Sequence, residues 1–209
     1  MTEGTRRLSM LRSYTPADML TLANASCGTL SLFACLSYIE DDRSSVLWAA
    51  FLLPVFALAF DVADGYVARL AARRQSRIGA DLDSLADIVS FGVAPAVLGY
   101  TLGLRGLWDV LLLTYFVCCG ISRLARFNVT SEALTNVDTG KVRYFEGTPI
   151  PTSVVLTAVL AFAAWQGRIG PELYGGAWQL GPWQFHPLSL LFIASGSMMI
   201  SKTLRIPKP

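Results

Sequence analysis

Apolar stretches recur six times along the chain, near 17–39, 46–69, 80–103, 107–126, 148–167 and 183–204. Each holds about 20 residues, enough to cross roughly 30 Å of hydrocarbon as a helix. Lipid offers no water to the peptide group, so spans of this length must satisfy their own backbone as helices. Of the 209 residues, 53% are hydrophobic and 15% charged, and the mean hydropathy of +0.48 excludes an ordinary soluble domain. The expected architecture is therefore an all-α integral membrane protein of six transmembrane helices, residues 1–209 forming a single domain. A net charge of +2 gives no reason to expect a nucleic-acid partner.

The positive residues are unevenly placed. Arg6, Arg7 and Arg12 precede the first span. Arg69, Arg73, Arg74 and Arg77 follow the second, and Arg123, Arg126, Lys141 and Arg143 follow the fourth. Lys202, Arg205 and Lys208 close the chain. Of the 17 basic residues, all but Arg43, Arg105 and Arg168 fall on one side, so the positive-inside rule predicts cytoplasmic N- and C-termini. Trp48, Trp108, Trp165, Trp178 and Trp183 fall near the opposite ends, where indoles anchor at an interface. The first apolar segment lacks a small-residue cleavage site and is expected to remain as a span. Residues 1–16 form a basic segment suited to the cytoplasmic headgroups, as an interfacial helix or as a disordered tail.

Several chemistries are excluded. Cys27, Cys35, Cys118 and Cys119 match neither a zinc site nor a disulfide framework and read as small packing residues. His186 is the single histidine, beside Pro187, and reads as an interfacial side chain, so no nucleophilic triad is available. No phosphate loop or dinucleotide fingerprint occurs.

Two acidic blocks interrupt the apolar sequence: Asp61-Val-Ala-Asp64-Gly65-Tyr-Val-Ala68-Arg69 and Gly79-Ala-Asp-Leu-Asp83-Ser-Leu-Ala-Asp87. Ionisable groups at membrane depth are costly and usually mark a site. Asp61, Asp64, Gly65, Ala68 and Arg69 follow i, i+3, i+4, i+7, i+8 and share one helix face; Gly79, Asp83 and Asp87 follow i, i+4, i+8 on the next span. A short basic loop makes the two helices antiparallel neighbours, so the acidic faces can meet. With a rise of 1.5 Å per residue, Asp61 and Asp87 lie on the order of 10 Å from the cytoplasmic ends of their helices. Asp81 lies roughly 200° around the helix from Asp83 and is expected to act as a favourable charge on the helix N-terminus.

Four carboxylates this close repel one another unless positive charge lies between them. Oxygen ligands without cysteine or histidine favour hard divalent ions, Mg²⁺ or Mn²⁺. Two such ions could clamp a phosphate undergoing displacement, with Arg69 on a phosphate oxygen, which reads as phosphoryl transfer. The alternative is a set of helix-end ion pairs with the cytoplasmic arginines. It suits a single Asp–Arg pair better than four acids on two facing stripes. A cation-coupled transporter would place intramembrane acids toward both faces, whereas here they gather at the cytoplasmic half, and Asp109 and Glu172 belong to the outer margin.

The pattern D-x-x-D-G-x-x-A-R followed by G-x-x-x-D-x-x-x-D resembles the signature of the CDP-alcohol phosphotransferases, integral membrane enzymes that transfer a substituted phosphate from a CDP-linked donor to an alcohol. All of its signature residues are present. Nine residues separate Arg69 from Gly79, one more than the family's usual spacing, and the extra residue falls in the arginine-rich loop. The resemblance implies that Asp61, Asp64 and Asp83 are principal metal ligands. It also implies that Asp87 completes the site and acts as general base, and that two Mg²⁺ or Mn²⁺ ions are bound. Asp64, Gly65, Ala68, Arg69 and Gly79 would meet the cytidine nucleotide, and a homodimer is implied. The residues alone leave open whether Asp87 is a base or only a ligand. An inactive lipid-binding relative is disfavoured by the intact acid set.

Beyond the signature, Asp83 to Pro95, Ser122-Arg-Leu-Ala-Arg126-Phe-Asn128 and Phe145-Glu-Gly147-Thr-Pro149-Ile-Pro151 resemble the membrane-type phosphatidylserine synthase branch. The resemblance covers roughly 15–155 and implies CDP-diacylglycerol and L-serine as substrates at a cytoplasm-facing site of the cell membrane. In the upstream segment Thr15 to Asn24, Asp18 stands where relatives often have Asn. Serine brings a carboxylate and an ammonium group. Arg126 is the first choice for the carboxylate, with Arg123, Asn128 and Glu146 nearby in the same cytoplasmic cluster. The arginines also suit membrane headgroups, or the phosphate of glycerol phosphate or inositol phosphate. Phosphatidylglycerophosphate, phosphatidylinositol phosphate and archaetidylserine synthases remain alternatives.

Overall fold

The computed structural model describes residues 14–70, 77–135, 144–201 and 205–207, with side chains described at most of these positions. The basic segment 1–13 and the loop residues 71–76 lie outside the described residues. Helices α1 (Pro16–Asp41), α2 (Ser44–Leu70), α3 (Arg77–Asp87), α4 (Ala94–Leu102), α5 (Leu107–Thr135), α6 (Val154–Trp165) and α7 (Leu190–Ile200) make up most of the chain. The π-helical turn Ile88–Val93 joins α3 to α4 without a break, so that Gly79–Leu102 runs as one rod. Four helices are long and apolar enough to cross a membrane: Pro16–Asp41, Ser44–Leu70, Gly79–Leu102 and Leu107–Val129. The fifth and sixth expected spans are shorter apolar helices, Ile150–Trp165 and Pro187–Ile200. Both open on 3₁₀ turns next to prolines, at Ile150–Ser153 and Pro187–Ser189, where the missing amide suits a helix start.

Gly79–Leu102 is the central rod, with 67% of its most apolar window buried against 28% for each of the other three long helices. Around it the usual polarity is inverted. α1 buries Asp18, Thr21, Asn24, Cys27, Gly28, Ser31 and Cys35 and exposes Leu30, Phe33 and Leu36. A small and polar inner face with a large apolar outer face suits a helix whose surroundings are lipid. Small residues set the crossings. A Cβ on Gly28 would fall 2.4 Å from Ser90 Oγ and 2.8 Å from Ser90 Cα, and a Cβ on Gly196 would fall 3.3 Å from Phe116 Cα. The Phe116 and Phe192 rings meet edge-on at 5.4 Å between α5 and α7.

Two small ladders were not foreseen in the all-helical expectation. Strand β1 (Tyr144–Glu146) pairs antiparallel with β4 (Arg205–Pro207), and β2 (Trp178–Leu180) pairs with β3 (Trp183–Phe185). The β2–β3 turn uses Gly181 at φ +68°, a conformation glycine adopts without strain. The expected span starting at 183 therefore begins as a strand. All five tryptophans are exposed, and Trp108 Nε1 donates to Leu180 O at 3.3 Å.

His186 corrects the interfacial reading. It is buried, and its Nδ1 lies 2.7 Å from Oδ2 of the equally buried Asp109, while its backbone N–H donates to Asp109 Oδ1 at 2.8 Å. The Gly106 N–H adds a third bond to the same carboxylate, fastening the β2–β3 hairpin to the start of α5. All four cysteines are free; Cys27, Cys35 and Cys119 are buried and Cys118 is exposed.

Candidate active site

The site lies at the other end of the bundle from Asp109, where α2 ends and α3 begins. Helical periodicity carries Asp61 and Asp64 onto the inward face of α2 and Asp83 and Asp87 onto that of α3. One carboxylate oxygen from each of Asp61, Asp83 and Asp87 lies within 4.8 Å of the other two. Asp64 and Asp87 are buried, and Asp61 and Asp83 are partly so. The four carboxylates lie within electrostatic reach of one another. Among the described residues, no lysine or arginine makes an ion pair with any of them. Asp83 Oδ1 is buried without a hydrogen-bond partner.

These observations fit a divalent cation. Three convergent hard-oxygen donors, none of them ion-paired among the described residues, suit Mg²⁺ or Mn²⁺, which would compensate their like charges. The helix-end ion-pair alternative has no such pair among the described residues.

Asp64 is oriented differently from the other three. Its Oδ2 accepts from Thr21 Oγ1 at 2.6 Å, and it stands outside the cluster of three. Gly65, Ala68 and Arg69 continue the same face of α2. A Cβ at Gly65 would meet nothing closer than Arg69 Nη1 at 3.7 Å, so the backbone there stays open to a ligand, with the exposed guanidinium above it. Gly79 begins the acidic face of α3.

On α5, Arg123 stands beside the acidic cluster. It is partly buried, its Nε has no hydrogen-bond partner, and it lies within reach of the Asp87 charge. Arg126 is exposed. Asn128 accepts from Ser84 Oγ at 3.1 Å, and its Nδ2 donates to Asp81 Oδ1 at 3.3 Å. Asp81 is thus a partner of α5 in the second turn of α3 rather than a charge in its first turn, where the helix dipole acts. Glu146 lies on β1 opposite Arg205, and its side chain lies outside the described residues.

The sequence reading assigned no role to Thr21 and Asn24. Asn24 Nδ2 donates to Asp87 Oδ1 at 3.1 Å. Their signal was the run of small and polar residues at 21, 24, 28 and 31, a helical stripe in an otherwise apolar span. Asp18 caps α1: its Oδ2 accepts from Thr15 N at 2.7 Å and from Thr15 Oγ1 at 3.0 Å, while Thr15 Oγ1 in turn accepts from Asp18 N at 3.3 Å.

Residues 14–193 match the family model described as CDP-alcohol phosphatidyltransferase. The chain is 40% identical over 210 residues to the CDP-diacylglycerol–serine O-phosphatidyltransferase of Saccharomyces cerevisiae, covering 100% of this chain and 76% of that protein. It is 34% identical over 154 residues to the Bacillus subtilis protein of the same name, covering 72% of this chain and 76% of that one. The archaetidylserine synthase of Methanothermobacter thermautotrophicus is 40% identical over 140 residues, or 66% of this chain and 54% of that protein.

Proposed function

The chain belongs to the CDP-alcohol phosphatidyltransferase family, and we propose that it transfers the phosphatidyl group of CDP-diacylglycerol to L-serine, giving phosphatidylserine and CMP. The observation that carries the chemistry is the convergence of Asp61, Asp83 and Asp87 within 4.8 Å from two helices. The serine assignment draws on the names of the yeast and Bacillus relatives. The archaeal relative favours a second reading that differs in the donor alone, an ether-linked CDP-lipid with serine still the acceptor.

Asp61, Asp83 and Asp87, with Asp64 alongside, would hold Mg²⁺ or Mn²⁺, two ions being the number that suits phosphoryl transfer. When bound, such ions neutralise the carboxylates and draw charge from phosphate oxygens. The chain's own residues do the rest. The open face at Gly65 and Ala68 admits the nucleotide, with Gly79 at the facing helix, and Arg69 contacts its phosphates. Asp87 accepts the proton of the serine hydroxyl as that oxygen bonds to the lipid-linked phosphorus. The bond from that phosphorus to the bridging oxygen breaks, and CMP leaves. Arg123 receives the serine carboxylate, with Arg126 at the exposed rim of the same helix.

In this reading the chain is a single multi-pass domain of the cell membrane, six-spanning and homodimeric, with its termini and its site toward the cytoplasm. The diacylglycerol chains stay in the bilayer while the pyrophosphate reaches the carboxylates from the side. The test incubates purified protein with CDP-diacylglycerol, Mn²⁺ or Mg²⁺, and in parallel serine, glycerol 3-phosphate or inositol phosphate. CMP release with serine is expected; release only with another alcohol overturns the acceptor.

A further inference from the structure

We infer that α1, which supplies none of the three converging carboxylates, positions the acidic site through Thr21 and Asn24. The inference rests on the metal-assisted reading of that site. The two residues lie one turn apart on the buried face of α1. Thr21 Oγ1 donates to Asp64 Oδ2 at 2.6 Å and Asn24 Nδ2 to Asp87 Oδ1 at 3.1 Å, so one helix holds a carboxylate from each of two others. A carboxylate with one oxygen held by a fixed donor has its other oxygen oriented, which is how outer hydrogen bonds set the geometry of a metal site.

The supporting packing is specific. Asn24 is fully buried, and its backbone carbonyl accepts from Ser90 Oγ at 2.9 Å. Ser90 lies in the π-helical turn that starts immediately after Asp87, and Gly28 brings α1 close against it. The register between α1 and the Asp87 turn is thereby fixed on both sides of the amide. Asn24 Oδ1 is buried without a partner. A residue serving packing alone would be better apolar, since an orphaned buried oxygen is unfavourable.

The test titrates Mn²⁺ alone into the full-length protein in detergent micelles and reads bound ion by electron paramagnetic resonance. Asn24→Leu and Thr21→Val each remove the donor at similar volume. Ser31→Ala removes another buried α1 bond, from Ser31 Oγ to Ala50 O at 2.8 Å, about two helical turns beyond Asn24. We expect Mn²⁺ affinity to fall about tenfold in the first two variants, with an altered resonance spectrum, and to be unchanged in Ser31→Ala. In turnover the loss should lie in kcat, with KM for the CDP-lipid retained. If Asn24→Leu does not fold, the nearly isosteric Thr21→Val carries the test. Wild-type Mn²⁺ affinity in the donor variants, or an equal loss in Ser31→Ala, overturns the inference and leaves the proposed reaction standing. Failure of the wild type to bind Mn²⁺ removes the metal reading itself. Weakened Mn²⁺ binding alongside a wild type that ignores serine supports the inference and overturns only the acceptor.

Discussion

The Asp109 carboxylate meets the His186 ring at 2.7 Å, at the end of the bundle away from the acidic cluster, and it also accepts the backbone N–H groups of His186 and Gly106. At the cluster, by contrast, Asp83 Oδ1 has no partner. Both oxygens of Asp109 are thus satisfied by the protein, whereas Asp83 keeps one that is not. Removing one partner of a buried hydrogen bond so that the other is left unsatisfied costs about 1–3 kcal/mol, and more where that group is charged. His186→Ala is expected to lower the thermal unfolding midpoint in detergent by several degrees while the surviving folded protein retains its metal affinity.

Asp87→Asn keeps the volume and the Asn24 contact region but removes the proton acceptor. CMP release should fall at least about a hundredfold, the scale of a lost general base, while CDP-diacylglycerol still binds. Near-normal turnover would take Asp87 out of that role.

Chelation should abolish CMP release, and added Mn²⁺ or Mg²⁺ should restore it. Asp61→Asn and Asp83→Asn each withdraw one of the three convergent donors and are expected to raise the divalent-ion concentration needed for half-maximal rate. An unchanged ion requirement in both would argue against the cluster as the metal site.

Arg123 and Arg126 separate by burial. A charge-assisted hydrogen bond contributes about 1.5–3 kcal/mol, so Arg123→Ala should raise KM for serine on the order of tenfold or more. Exposed Arg126→Ala should change it less. The reverse order would return the carboxylate to Arg126.

Gly28→Ala places a methyl 2.8 Å from Ser90 Cα, backbone against backbone. Overpacking of this kind costs about 1–3 kcal/mol. The expected result is a lower unfolding midpoint together with weaker Mn²⁺ binding, because the α1 register against Asp87 shifts.

The sequence by itself determined what periodicity and solvation dictate locally. Four long apolar helices, the acidic stripes at 61, 64 and 83, 87, and the open face at Gly65 all follow from 3.6 residues per turn and the cost of charge in lipid. Tertiary structure decided what depends on how one helix slides against another. Asp61 joined Asp83 and Asp87 while Asp64 turned to Thr21; Asp81 paired with Asn128; His186 left the interface for Asp109. These pairings span tens of residues and are set by close contacts such as Gly28 on Ser90, which leave no periodic trace in the chain. Spacing along one helix is local geometry, but the register between helices is a packing outcome.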